Sequence, residues 1–142
     1  MSFRAKNKIL IVPCSGIGKT YGSVSREAAY IVQQELHPQE TQIVPLSLLV
    51  LGDEETCATT AGRSAITIDG CKLACATKMI QQSGGKILRT FDVLDVFRRY
   101  RDFKPQGIAE LNEGGQKLAQ ALAEEISAEI EQMNLAGEAE HA

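Results

Sequence analysis

The chain has no tryptophan and an aromatic content of 5%, too few flat rings for stacking on single-stranded bases. It also lacks a long basic run and carries a formal net charge of -3, so the electrostatic footprint that a phosphate backbone demands is missing. Nucleic acid is therefore not an expected partner. No run of about 18 apolar residues occurs, which excludes a membrane helix and, with it, an expected membrane partner. No secretory leader is recognisable, and the 4 cysteines are too sparse for a disulfide framework. A reducing compartment, the cytoplasm, is the expected location. There, clustered cysteines bind metal or carry out redox chemistry more often than they staple loops.

The 142 residues suffice for one domain with its own core. Lys8 to Pro13 (KILIVP) reads as a strand buried on both faces. A turn, CSGIGKTYGS, follows it, and the helical pattern SREAAYIVQQEL ends at His37 and Pro38. Thr41 to Pro45 is a second strand, and LSLLVLG after it suits either a buried helical turn or more strand. The polar stretch GDEETCATTAGRS reads as a solvated loop leading into a short helix that begins near Cys57. Ala65 to Ile68 is the third strand. Asp69 and Gly70 make a turn, and Lys72 to Gln82 is a helix closed by Gly84 and Gly85. Lys86 to Phe91 is the fourth strand, and Asp92 to Arg101 is ambiguous. A long amphipathic helix is predicted from Gly107 to Met133 on the spacing of Ile108, Leu111, Leu118, Leu122 and Ile126, with a frayed tail over 134–142. This alternation predicts a single Rossmann-like, three-layer α/β domain with a mainly parallel sheet of about four strands.

In such a sheet the loops after the strands gather at the carboxyl edge. Cys14, Cys57, Cys71 and Cys75 all fall in segments that read as such loops or as first helical turns, and a shared metal site is the leading expectation. Residues four apart on a helix have Cβ atoms about 5–6 Å apart, whereas a disulfide needs roughly 3.8 Å. A Cys71–Cys75 bridge would thus be strained, while tetrahedral zinc accepts that separation. A four-thiolate zinc has a net charge of about -2, which helix N-termini stabilise, and Lys19, Arg63 and Lys72 are close in sequence to the cysteines. Buried or redox-active thiols remain the alternative. An enzyme using Cys14 as nucleophile or redox centre is the rival function, so enzymatic activity is left open.

Other motifs carry less. Gly18, Lys19 and Thr20 spell the end of a Walker loop, but Pro13 occupies the earlier glycine position and removes an N–H. A cysteine-dependent phosphatase needs arginine six residues after its nucleophile, and Thr20 stands there. No C-x-x-C pair occurs. Asp69 suits a helix cap better than a ligand or base. Neither His37 nor His141 reads as a catalytic base or zinc ligand. Whether the last helix forms a homodimer is left open, and no protein or small-molecule partner is specified.

The combination of PCSG, an isolated middle cysteine and DGCKLAC over residues 8–105 resembles the DGC-domain family of zinc-binding proteins. The resemblance implies that Cys14, Cys57, Cys71 and Cys75 bind zinc, and all four positions are filled here. It points to a metal-binding, sensing or carrier module and supplies no reaction.

Overall fold

The computed structural model describes residues 8–14, 19–70 and 74–141, with side chains up to residue 134. Four parallel strands, β1 (Ile9–Pro13), β2 (Thr41–Ile43), β3 (Ser64–Asp69) and β4 (Lys86–Asp92), lie in the order β2-β1-β3-β4. The helices are α1 (Thr20–Tyr30), α2 (Leu46–Leu51), α3 (Glu54–Thr60), α4 (Cys75–Gln82), α5 (Val93–Arg99) and α6 (Glu113–His141). The three-layer parallel α/β architecture read from the sequence is the one observed.

Strand alternation sorts the core into two layers. Ile11, Ile66, Ile68 and Phe91 face α1, α5 and α6, whose Val24, Ala28, Val96, Leu118, Leu122 and Ile126 are fully or almost fully buried against them. Leu10, Val12 and Ala65 face the other layer, where Leu46 and Leu49 of α2 and Ala76 and Ile80 of α4 pack. The β1-to-β2 connection moves one way along the sheet and β2-to-β3 moves back past β1. A right-handed crossover must therefore put α1 on one face and α2 and α3 on the opposite one.

β4 is an outer strand guarded by exposed Lys86 and Arg89 and by a register shift opposite Ala65 and Ile66. Such features discourage pairing with another chain's edge. Arg89 also sits over the Phe91 ring at 5.5 Å.

Several element starts differ from the sequence expectation. α1 begins at Thr20 instead of Ser25, so Gly22 and Ser23 are helical and buried despite their weak helix propensity. The close approach of Gly70 explains this. A Cβ on Gly70 would lie 3.3 Å from Gly22 N, so the strand end and the first turn of α1 pack backbone to backbone. LSLLVL forms α2, the helical alternative and not more strand, with Leu46 and Leu49 buried and Val50 and Leu51 exposed. Asp53, Glu54 and Glu55 are a helix start and not a loop. The Asp53 carboxylate accepts from Thr56 N at 3.0 Å, and its hydrogen bonds to Thr56 hold its carboxyl below the ordinary 3.8. Asp92 resolves the ambiguous segment by capping α5 through Leu94 N at 2.8 Å.

The last helix starts at Glu113, not Gly107. Asn112 Oδ1 accepts from Gly115 N at 2.8 Å, the contact of an N-cap, and also from Gln106 N at 2.9 Å. Gly107 has φ +100, and a Cβ there would meet the Glu110 carbonyl oxygen at 2.0 Å. Ile108 is outside the helix and half exposed, so its helical spacing was coincidental. The helical backbone of α6 continues to His141, through most of the segment read as a frayed tail.

After Tyr30 the chain winds as a wider π-helical turn, Ile31–Leu36, closed by His37 N donating to Val32 O at 2.7 Å. His37 is thereby buried between layers, with Nδ1 3.2 Å from Glu40 Oε1 and Nε2 2.7 Å from Ser127 Oγ of α6. The hydrogen bond from Asn134, assisted by His37, holds the Glu40 carboxyl below its ordinary 4.5 despite opposing desolvation.

Two measurements test this packing. Leu122→Ala is expected to cost about 2–5 kcal/mol in urea denaturation, while Leu51→Ala, at a position 79% exposed, should stay within about 0.5 kcal/mol of the parent. A carboxylate with a lowered folded-state pKa stabilises above its unfolded-state value and loses that contribution as pH falls through the folded one. Glu40→Gln should therefore melt below the parent near neutral pH, and the gap should narrow as pH drops below 4.5. A constant gap would show that the carboxylate charge is not what Glu40 contributes.

Candidate metal centre

β1 and β3 are neighbours whose following connections depart to opposite faces. Their carboxyl ends therefore form the topological switch point, the place where open α/β sheets bind ligands. The pairing continues past the strand, because Cys14 N donates to Ile68 O at 2.8 Å. Cys14 thus stands beside Asp69, the first residue of the DGC triplet. It is 6% exposed, and the Ser25 hydroxyl lies 3.0 Å from its carbonyl oxygen, tying the segment to α1.

Asp69 is the last residue of β3 and only 2% exposed. Its Oδ1 accepts from Ala76 N at 3.0 Å and its Oδ2 from the Thr77 hydroxyl at 2.6 Å. The expected cap on the following helix is thus present, supplied from the strand end. Thr77 Oγ1 is 2.8 Å from Thr67 Oγ1, which is hydrogen-bonded to Thr90 Oγ1 at 3.2 Å. This polar chain crosses from α4 through β3 to β4. The two buried members, Thr67 and Asp69, thus have the partners that burial requires.

Cys75 opens α4 and is exposed. The residue before it, Ala74, has φ 52 and ψ 46, a left-handed conformation that costs a non-glycine residue about 1–2 kcal/mol. The expected continuous helix from Lys72 is therefore interrupted, and the spacing argument for Cys71 and Cys75 on one helix does not apply. Cys71 itself, with Lys72 and residues 15–18 of the Walker-like turn, lies outside the described residues.

Cys57 sits in the middle of α3 and not in a loop at the edge. It is half-buried against the Leu10, Val12 and Ile80 layer, the layer that also contains α4. Arg63, expected near the sulfurs, instead donates to the Lys8 carbonyl at 2.6 Å, at the amino end of β1. It stands at the opposite edge of the sheet. Among the described residues, no three Cys, His, Asp or Glu side chains are grouped closely enough to hold a metal. The structure thus sets Cys14 beside Asp69, and Cys75 on the helix that Asp69 caps. Cys57 is placed on the same layer without joining a cluster.

The Asp69–Thr77–Thr67–Thr90 chain was not read from the sequence. The alternation of Thr67 and Asp69 on one face of β3 was its available signal. Fold and edge define a parallel α/β domain with a cysteine-bearing loop at its switch point. A profile of the DGC domain matches residues 10–114, and the chain belongs to that family. No match was found among curated proteins or among solved structures. No helix among the described residues is long and apolar enough to cross a membrane.

Asp69→Ala would leave the Ala76 N–H and the Thr77 hydroxyl without their acceptor, at an expected cost of about 2–4 kcal/mol in urea denaturation. Asp69→Asn keeps one acceptor and should cost less. An alanine variant as stable as the parent would show that the cap does not hold α4.

Proposed function

We propose that this DGC-domain protein is a zinc-binding module whose ligands are Cys14, Cys57, Cys71 and Cys75. The observation that carries the reading is the pairing of Cys14 with Ile68, which sets it beside Asp69 at the carboxyl ends of two neighbouring strands. The cysteine of the DGC triplet follows Asp69 and Gly70 directly. Cys75 starts the helix that the same aspartate caps. The left-handed Ala74 adds support, since backbone strain tends to collect at ligand sites.

Thiolates are the donor type that zinc selects, and four of them would close its coordination shell, leaving no open position for Lewis-acid chemistry. When bound, zinc would hold the thiols deprotonated and cross-link loops from separate elements. Cys57 must approach the other sulfurs for a four-ligand site. The apolar core on both sheet faces is continuous without these ligands, which favours a sensing or carrier role over a metal required for folding. The rival, a thiol enzyme acting through Cys14, is disfavoured by the burial of that side chain, because a reactive cysteine must be reachable.

Protein purified without added metal should contain about one zinc per chain, and Cys14→Ser and Cys71→Ser should abolish binding equally. After chelation the far-UV circular dichroism should persist, and Cys75 should alkylate before Cys14. Retention of zinc by either serine variant removes that cysteine from the ligand set, and fast alkylation of Cys14 in the chelated protein would restore the enzyme reading.

A further inference from the structure

The helix α2 presents an apolar face that nothing in the described chain covers. Its sequence, LSLLVL, has a single polar residue, Ser47. Leu46 and Leu49 enter the core, while Leu48, Val50 and Leu51 are 36%, 65% and 79% exposed. Among the described residues no other helix exposes three large apolar side chains, and a contiguous apolar face of this kind marks an interaction site. The helix ends in a Schellman motif. Gly52 N, at φ 75, donates to Leu49 O at 3.1 Å, and Asp53 N donates to Leu48 O at 3.0 Å. In that motif the residue in the place of Asp53 is frequently apolar and packs on the one in the place of Leu48. Here it is a carboxylate that accepts from Thr56 N, and Leu48 stays open to solvent.

A cavity of about 380 Å³, between α1 and the carboxyl ends of β1 and β2, continues this face. Pro13, Ala29, Ile43 and Leu46 give it apolar walls, and Ser47 stands exposed at its rim. Arg26 also lines it and is engaged with Ser23 Oγ at 3.1 Å. Ser47 and Val50 are three apart on α2 and share a side of the helix, so the cavity opens beside the exposed apolar residues. At the other end of α2, Asp53, Glu54 and Glu55 are all exposed. The hydrogen bond from Asp53 N to Leu48 O folds that acidic run against the helix.

We propose that α2 and this cavity are the docking site for an amphipathic helical segment of a partner protein. One apolar side chain of that segment fills the cavity, and lysine or arginine at its end meets Asp53, Glu54 and Glu55. An apolar stripe laid on a groove is a recurring mode of peptide recognition, and complementary charge sets its register. A second copy docked face to face would bring two acidic runs into one interface, and an anionic lipid surface would meet the same repulsion. A segment with a basic end is the occupant that the charges favour. The site uses none of the four cysteines and does not rest on the metal reading.

The test uses the full chain and a fluorescent synthetic helix of leucine and lysine at amphipathic spacing. Its comparators are the same helix with glutamate for lysine and a peptide with serine for leucine. In fluorescence anisotropy the leucine and lysine helix should bind at least about tenfold more tightly than either comparator. In NMR of the labelled chain it should shift the amides of Ser47, Leu48, Val50 and Leu51. Val50→Ser combined with Leu51→Ser should weaken binding at least about tenfold, and Glu54→Gln combined with Glu55→Gln at least about threefold. All four positions are exposed, so neither pair removes a core contact. The proposal is overturned if either comparator binds as tightly, if the serine pair binds undiminished, or if the shifted amides lie elsewhere. Sedimentation showing a dimer that the serine pair dissociates would assign the face to a second copy and overturn it too. Binding to anionic phospholipid vesicles that the serine pair loses would do the same in favour of a membrane. Should the serine pair fail to fold, the peptide comparison and the amide map on the parent decide the matter. Zinc content should be the same in the serine pair as in the parent, so failure here and failure of the metal reading are distinguishable.

Discussion

One buried carboxylate organises the carboxyl edge of the sheet. Asp69 ends β3 pointing into the layer of α4, where it accepts from Ala76 N–H and the Thr77 hydroxyl. It thereby fixes both where α4 begins and how its first turn sits on the sheet. An aspartate so deeply buried requires such partners, since a charge without hydrogen bonds in that position would cost several kcal/mol. Thr67 and Thr90 extend the polar chain to β4. On the other face, Gly70 brings the same strand end against the first turn of α1. The first two letters of the DGC triplet thus have separate structural reasons: one caps a helix and the other permits a close backbone approach.

That arrangement gives the third letter its setting. β1 and β3 pair through Cys14 N and Ile68 O, so Cys14 of PCSG and Asp69 of DGC stand side by side at the sheet's carboxyl edge. The handedness of the crossovers puts α3, which carries Cys57, and α4, which begins with Cys75, on one layer. The cavity lined by Arg26 flanks this edge beyond β1, against β2.

Much of the fold was legible because its signals are local. KILIVP and AITI are short apolar runs bounded by turn residues, the pattern of strands buried on both faces. His37 and Pro38 marked a helix end that the structure retains. Helix starts were harder. Gly22 and Ser23 look like loop residues, yet contact with Gly70 holds them in α1. Ile108 and Leu111 continue a helical spacing, yet Asn112 caps the helix after them. Arg63 is close to Cys57 in sequence but reaches the far edge of the sheet, because α3 carries the chain there before β3 begins.

For the site, the sequence alone determined the residue types and their order: four thiols, an aspartate and a glycine whose chemistry suits a soft metal and a tight strand end. Apolar runs and turn residues likewise determined a parallel α/β domain, because periodicity and backbone preference act over a few neighbouring positions. Only the tertiary structure decided which of these groups meet. Asp69 caps α4 by accepting from Ala76 N, Ala74 is left-handed, Cys14 is buried while Cys75 is exposed, and Arg26 lines a cavity beside the carboxyl ends of β1 and β2. Each outcome depends on contacts between segments distant in sequence, and local preferences worth about 1 kcal/mol per residue yield to such packing.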